Sequence, residues 1–136
     1  TGRATVLELF NQPIIDADLL APFHAQLSDH TQVLLHTGWY HQWRSESYFT
    51  DHPVLSADGA EFLVQTGIDL VGVDFPSVDR PPHAAHLVLL GRSVLIVENL
   101  TNLAALDRIS FEFSAIPLAI IGRDGSPVRA FARIAD

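Results

Sequence analysis

Two histidines and a glutamate lie near residue 90, where most of the surrounding residues are apolar. His83 and His86 are three positions apart, so a helix would place both imidazoles on one face. Glu98 follows the run Val-Leu-Ile-Val, which is typical of a buried strand, and an unpaired buried carboxylate costs several kcal/mol. An imidazole and a carboxylate that share a pocket edge form part of a site for a divalent metal ion. The residue types therefore allow a metal site that uses His86 and Glu98.

Each of these residues also has a structural interpretation. Glu98 would cap the turn that opens the segment ENLTNLAAL, or it would pair with Arg92 or Arg108. A single histidine such as His86 is more often a partly buried, hydrogen-bonded side chain than a ligand. Zinc usually takes three or four protein ligands, which is more than this pair supplies. From the residues alone, both interpretations of Glu98 stay open.

Three predicted strands end at polar or ionisable side chains. QVLL ends at His36, IDLVGV ends at Asp74 and SVLIV ends at Glu98. Functional sites of α/β sheets gather beyond the carboxyl ends of the strands, although Asp74 also suits a simple turn. We interpret the remaining histidines outside this region as surface or loop residues, namely His24, His30, His41 and His52. The aromatic loop is interpreted as packing or as the lining of a pocket: Trp39, Tyr40 and Trp43.

Short strands that alternate with helices must position these residues. The pattern predicts strands over 4–9, 31–37, 68–73 and 93–97, and the last, apolar on both faces, is predicted to be central. It predicts helices over 16–27, with a break near Pro22, over 57–66, capped by Ser56, and over 83–90. The apolar segments 109–121 and 126–134 flank Asp124-Gly125, which is a strong hairpin turn signal. We therefore predict an α/β domain with a mixed, partly parallel sheet and a C-terminal antiparallel hairpin.

The composition excludes several classes of protein. The chain has 136 residues, 48% of them hydrophobic and 18% charged, which predicts one globular domain. Its net charge of −8 argues against nucleic acid and anionic membranes as partners, because both require a basic surface. No apolar run approaches the ~18 residues of a membrane-spanning helix. The chain has no cysteine, so a metal would have to bind through His, Asp or Glu.

The order of the sequence blocks resembles that of the cyclase family of metal-dependent hydrolases, which includes bacterial kynurenine formamidase and isatin hydrolase. The blocks that carry the resemblance are VLLHTGW, HPVLSADGAEFLVQTGIDLVGVDFPSVD, HLVLLGRSVLIVENLTNL and FEFSAIPLAIIGRDGSPVRAFARI. They extend over nearly the whole chain, from about residue 4 to residue 134. Their order and spacing make the resemblance more specific than a single short motif would.

The resemblance implies a swivelling β/β/α-type fold, a zinc or manganese ion, and hydrolysis of amide bonds in aryl formamides or cyclic amides. The family's histidine that lies twelve positions before the glutamate of VENL falls on His86, and that glutamate falls on Glu98. In the family both residues bind metal, so the resemblance predicts them as metal ligands here. It also implies a small aromatic amide as substrate, similar to N-formylkynurenine, and a cytoplasmic location.

The family's hallmark, H-x-G-T-H-x-D-x-P-x-H, is absent from the sequence. In the family it supplies the remaining metal ligands and the histidine that carries a proton to the leaving nitrogen. We therefore predict no catalytic residue, and we expect residues 1–136 to form a single, N-terminally incomplete domain that is inactive alone. The chain would be the remainder of a longer enzyme, one subunit of a split enzyme, or a shortened, non-catalytic binding or interaction module. Exposed apolar surface would then make it pair with itself, as a homo-oligomer, or with a missing N-terminal segment.

Overall fold

The structure, a computed structural model, describes residues 1–106 and 111–134. Six strands form one mixed sheet in the order β6-β5-β3-β1-β7-β8, and β2 pairs with β4 in a separate ladder. β1, β3, β5 and β6 run parallel, whereas β7 and β8 are antiparallel. The strands are β1 (Gly2–Glu8), β2 (Ile14–Ile15), β3 (Gln32–His36), β4 (Val54–Leu55), β5 (Leu70–Val73), β6 (Leu95–Val97), β7 (Phe111–Pro117) and β8 (Val128–Ile134). The predicted α/β class, the partly parallel sheet and the C-terminal hairpin are confirmed.

The α-helices connect the parallel strands. They are α1 (Ala17–Leu20), α2 (His24–Ser28), α3 (Ala57–Gln65) and α4 (Ala84–Gly91), and 3-10 turns cover Ala21–Phe23, Trp39–Gln42 and Leu103–Leu106. The predicted helix over 16–27 is interrupted at Pro22, which has no amide N–H to continue the α-helical pattern. Ser56 caps α3 as predicted and accepts a hydrogen bond from the Gly59 amide. Within the described part of the chain, every helix is too short or too polar to cross a membrane.

Both faces of the parallel sheet are buried. Alternate residues of β3 point to opposite sides, so Val33 and Leu35 join the core beneath the helices while Leu34 joins the core on the other face. This second core also contains Leu100 and Phe113, which come from the loop after β6 and from the hairpin. Burial on both sides explains why the middle of β3, residues 33–35, is an unbroken apolar run.

Two details of the predicted sheet were wrong. β6 lies at the edge of the sheet, and its Leu95 is exposed. A β-branched run favours a strand but does not determine how many strands flank it, and in β6 Val97 is buried by the loop that follows the strand. The hairpin is not closed at Asp124-Gly125, because β7 and β8 pair only as far as Pro117 and Val128 and leave 118–127 as a loop. Residues 109 and 110 of the predicted segment lie outside the described residues.

The loop after β6 is held closely against β5. A Cβ atom on Gly72 would lie 2.6 Å from Leu34 Cδ2 and 2.7 Å from Leu100 Cδ1, so a larger residue would displace these two leucine side chains. The Leu100 amide donates to the Val73 carbonyl at 2.9 Å, and the Asn99 amide donates to the Phe75 carbonyl at 3.1 Å. These contacts fix the residues after β6 beside the end of β5.

Candidate metal centre

Asp79 accepts hydrogen bonds from two imidazoles at the start of α4. Its Oδ1 lies 3.0 Å from His83 Nδ1 and 2.6 Å from His86 Nδ1, and its Oδ2 accepts from the His86 amide at 3.1 Å. The Asp79 side chain is only 7% exposed. Burial alone would raise the pKa of Asp79, but the hydrogen bonds from His83 and His86 outweigh it, and the pKa is lowered. The carboxylate is therefore ionised near neutral pH.

The ionised carboxylate decides which nitrogen of His86 carries the proton. A carboxylate only accepts, so His86 Nδ1 must donate, and Nε2 of the neutral ring keeps its lone pair. That Nε2 lies 3.6 Å from Glu98 Oε1. Two acceptors that face each other at this distance repel unless a proton or a cation lies between them. Either a proton on Nε2 or a cation between the two atoms would complete this pair.

Glu98 is less buried than its position after an apolar strand predicted. Its side chain is 30% exposed, and Oε1 accepts one backbone hydrogen bond, from the Val78 amide at 3.1 Å. Among the described residues no arginine lies within ion-pair distance of Glu98, so the alternative of a pair with Arg92 is not realised. Arg108, the other proposed partner, lies outside the described residues. The Glu98 carboxylate thus retains acceptor capacity towards His86.

The spacing of these atoms fits a shared divalent ion. Nitrogen and oxygen ligands at ~2.1 Å from a tetrahedral zinc lie ~3.4 Å from each other, close to the observed 3.6 Å. Asp79 behind His86 supplies the outer hydrogen bond that metal-binding histidines usually make. In the described parts of the chain, the one group of three or more potential ligands is Asp79, His83 and His86, within 4.8 Å of each other. Its shortest separation, the 2.6 Å between Asp79 and His86, is a hydrogen bond and too short for two ligands of one ion.

His83 does not lie within the helix as predicted. α4 begins at Ala84, and His83 precedes it as the N-cap with a left-handed φ of 64°. The two imidazoles nevertheless meet edge to face, with centroids 5.5 Å apart, because both bond to Asp79. The sequence analysis missed Asp79, although an acid four residues before His83 and seven before His86 was the available signal.

His52 was interpreted as a surface or loop histidine, and it lies in a loop but is buried. It is 3% exposed, its ring stacks on Phe75, and its Nδ1 donates to the Pro53 carbonyl at 2.7 Å. Burial chiefly lowers the pKa of His52, and Arg80 lowers it further, although the Pro53 hydrogen bond and the nearby Glu98 and Asp79 oppose the shift. His52 is therefore a neutral imidazole within the electrostatic reach of the centre.

The other two strand ends do not join the centre. Asp74 is completely buried and accepts from the Thr37 amide at 3.0 Å, the Thr37 hydroxyl at 2.6 Å and the Gly38 amide at 2.7 Å. We call the two residues that donate to Asp74, Thr37 and Gly38, the clasp. Gly38 adopts a φ of 79°, which favours glycine. His36 contacts the rings of Phe10 and Tyr40, and its buried Nδ1 has no hydrogen-bond partner in the part of the chain that the structure describes.

Asn99, the residue after Glu98, is one of the residues that line an aromatic cavity of about 420 Å³. The Tyr48 hydroxyl donates to Asn99 Oδ1 at 2.9 Å, and the Tyr48 ring meets Trp43 edge to face. Burial, with a smaller effect of Asp74, raises the pKa of Tyr48, so the hydroxyl keeps its proton. Trp39 instead packs against the core and donates Nε1 to the Tyr48 carbonyl. The cavity is lined by Tyr40, Trp43, Tyr48, Phe49, Asn99, Leu100 and Thr101.

The chain is similar in sequence to a known family and to individual proteins of known name. The model of the family described as "Putative cyclase" matches residues 2–80. A kynurenine formamidase from Bacillus cereus is 37% identical over 138 residues, which cover 97% of this chain and 62% of that protein. A kynurenine formamidase from Geobacillus thermodenitrificans is 34% identical over 139 residues, with the same coverage of 97% and 62%. The chain thus spans less than two thirds of the length of these relatives.

Solved structures share the fold. A crystal structure of an isatin hydrolase bound to the product analogue thioisatinate superposes with a TM-score of 0.81 at 24% identity, over 96% of this chain and 58% of that one. A potential metal-dependent hydrolase with cyclase activity superposes with a TM-score of 0.77 at 24% identity, over 95% and 63%. At this identity the likeness establishes the architecture, which matches the fold that the sequence resemblance implied.

Proposed function

We propose that this chain, which belongs to the cyclase family, forms part of a metal-dependent hydrolase of amide bonds. The observation that carries the proposal is the 3.6 Å separation between His86 Nε2 and Glu98 Oε1, with Asp79 bonded to the far side of the imidazole. The kynurenine formamidase relatives and the isatin hydrolase neighbour support an amide bond in an aryl formamide or a cyclic amide as the target. Substrates similar to N-formylkynurenine are the best candidates.

In this proposal His86 and Glu98 hold a zinc or manganese ion. The bound ion would supply Lewis-acid activation of water and of the amide carbonyl. Two ligands are fewer than such an ion usually takes. In this proposal the further ligands and the proton-carrying histidine come from outside residues 1–136. We therefore propose that residues 1–136 form one N-terminally incomplete domain, completed by an additional segment or by a partner subunit.

Residues of this chain would prepare the site before substrate arrives. The Val78 amide fixes Glu98 Oε1, so the carboxylate keeps one orientation towards His86. Asn99, which lines the aromatic cavity, directly follows Glu98, and this adjacency supports a substrate site shared by the cavity and the carboxylate. An aryl group in the cavity would contact Trp43 and Phe49, and its amide would then extend towards His86 and Glu98. Aromatic contacts of this kind contribute about 0.5–1.5 kcal/mol each.

Metal titration tests the proposed centre. Calorimetric titration of the chain with Zn²⁺ and with Mn²⁺ should show weak binding that is lost in His86→Ala and in Glu98→Ala. The exposed residues His24 and Glu61 provide matched controls, and His24→Ala and Glu61→Ala should bind as the wild type does. The isolated chain should show negligible hydrolysis, because ligands are missing. Tight binding that survives both site substitutions would mean that the ion is held elsewhere.

Ligand titration tests the aromatic cavity separately. Formanilide, the simplest aryl formamide, should bind the wild type, and Trp43→Ala should weaken this binding by up to about tenfold, since one aromatic contact is lost. Leu87→Ala, which removes an exposed side chain on α4, is the matched control. Equal affinity of the wild type and Trp43→Ala would remove the cavity from the proposed function without affecting the metal site.

The C-terminal hairpin supports a proposal about assembly. β8 is an edge strand, and Ile121 in the loop of the hairpin is 100% exposed. Exposed apolar side chains of this hairpin also include Ile116, Leu118, Ile120, Phe131 and Ile134. Because such surfaces usually mark interfaces, we propose that a second copy of the chain covers the hairpin. Light scattering should show a dimer or larger assembly, and Ile121→Ser with Phe131→Ser should shift it towards monomer. A wild type that is monomeric at all concentrations would exclude homo-oligomerisation.

A further inference from the structure

The Asp79 carboxylate bonds to two parts of the same residue. Oδ2 accepts from the backbone amide of His86 at 3.1 Å, and Oδ1 accepts from its ring Nδ1 at 2.6 Å. These two bonds fix the orientation of the His86 ring relative to the start of α4. They also fix which ring nitrogen carries the proton. The carboxylate itself is held in a buried position. Rotation of the ring would break the shorter bond and turn Nε2 away from Glu98.

We propose that Asp79 is the positioning residue that makes His86 a metal ligand. It orients the ring so that Nε2 faces Glu98, and it holds the proton on Nδ1 so that Nε2 keeps its lone pair. This inference rests on the proposed function, since it assigns the ion to the Nε2 side of the ring. Outer hydrogen bonds of this kind orient metal-binding histidines and raise their basicity. Asp79 touches neither the ion nor the substrate in this arrangement and acts only through His86.

His83 has a different relation to the carboxylate. It bonds to the same Oδ1 at 3.0 Å, longer than the bond from His86, and its side chain is 51% exposed. It has no contact of its own with Glu98 among the described ion pairs. His83 is therefore a second donor to Asp79 whose removal leaves the bond to His86 in place. This difference makes His83 the matched control for the role of Asp79.

Asp79→Asn changes the hydrogen bonds that the side chain can make and leaves its shape nearly unchanged. The wild-type carboxylate accepts from three N–H groups, whereas an asparagine offers one oxygen and places an NH2 group where the other oxygen was. If that NH2 group faces the ring, His86 Nδ1 becomes an acceptor, and the proton moves to Nε2. The ligand nitrogen would then be blocked in part of the molecules, although the side chain has nearly the same volume.

Two measurements on the full chain test the inference. In the metal-free protein at about pH 8, nitrogen NMR of the His86 ring should show the proton on Nδ1 in the wild type and a mixture of tautomers in Asp79→Asn. In calorimetric titration with Zn²⁺, Asp79→Asn should bind roughly 10- to 100-fold more weakly. His83→Ala should keep the wild-type tautomer and nearly the wild-type affinity. Thermal unfolding checks that each variant is folded, and Asp79→Ala, expected to weaken binding similarly, replaces Asp79→Asn if the latter does not fold.

The outcomes distinguish failure of this inference from failure of the proposed function. Loss of binding in His86→Ala and Glu98→Ala, together with an unchanged tautomer and affinity in Asp79→Asn, would overturn the role of Asp79 alone. If His83→Ala lost as much Zn²⁺ affinity as His86→Ala, the ion would lie on the Nδ1 side of the His86 ring. That result would also overturn the positioning role of Asp79. Zn²⁺ binding that is indifferent to both His86→Ala and Glu98→Ala would overturn the proposed metal centre and this inference together.

Discussion

Two carboxylates lie at the ends of neighbouring parallel strands, and their surroundings differ sharply. Asp74, after β5, is completely buried, and both of its oxygens accept hydrogen bonds from the clasp. Glu98, after β6, is 30% exposed, accepts one backbone hydrogen bond and faces the lone pair of an imidazole. The same edge of the sheet therefore carries one acid that is fully engaged by protein donors and one acid that is partly open to solvent.

This difference indicates which acid is structural. The clasp neutralises the cost of burying Asp74 with N–H and O–H donors from a single turn, so the charge stabilises the loop that leads to Trp39 and Tyr40. No comparable set of donors surrounds Glu98 among the described residues, and its free acceptor capacity points at His86. Position at a strand end is therefore insufficient to assign function. The hydrogen-bond donors around each carboxylate distinguish the structural acid from the candidate metal ligand.

The largest effect is expected for Asp74→Asn. The asparagine would place an NH2 group against an amide that needs an acceptor, and at least one buried donor would lose its partner at about 1–3 kcal/mol. We expect the free energy of unfolding, measured by urea titration, to fall by about 2–4 kcal/mol. Asp69→Ala, which changes an exposed acid before β5, should have an effect below about 0.5 kcal/mol. Equal stability of Asp74→Asn and wild type would contradict the structural role of the clasp.

An intermediate effect is expected on acidification. The pKa of His52 is lowered in the folded protein, so below about pH 6.5 the unfolded chain binds a proton that the folded protein resists. Stability should therefore fall as the pH decreases from 6.5 towards the folded pKa of His52. The pKa of Asp79 is also lowered, and its contribution is lost at lower pH, below about 4.

Urea midpoints at about pH 7.5 and 5.5 measure this dependence. His52→Gln should reduce the difference between the two midpoints, because the buried titrating group is gone. The exposed His41→Gln should leave the difference as it is in the wild type. A pH dependence that is the same in His52→Gln and wild type would show that burial of His52 does not penalise its charged form.

The smallest effect on stability is expected for Glu98→Gln. The glutamine carbonyl can still accept from the Val78 amide, and the side chain is partly exposed, so the free energy of unfolding should change by less than about 0.5 kcal/mol. The neutral amide is nevertheless a poorer ligand than the carboxylate, and Zn²⁺ affinity should fall. A loss of stability as large as that of Asp74→Asn would show that the two carboxylates have the same structural role and would end the comparison.

Much of the fold was predictable because it depends on local signals. The apolar runs of β3 and β5, the Ser56 cap and the interruption at Pro22 each reflect a property of a short segment. The position of β6 at the sheet edge was not predictable, because the number of neighbouring strands depends on the topology of the whole chain. The buried state of His52 was missed for the same reason, since the Phe75 ring that covers it lies 23 residues further along the chain.

The sequence by itself determined the order of strands and helices, the absence of thiolate ligands and, through resemblance, the choice of His86 and Glu98 as metal ligands, which stays a prediction. Only the tertiary structure decided that Asp79 bonds to His86, that Nε2 lies 3.6 Å from Glu98, and that Asp74 is satisfied by the clasp. Hydrogen bonds between distant residues depend on distance and direction in space. A linear pattern specifies which groups are present, but it does not specify which of them meet.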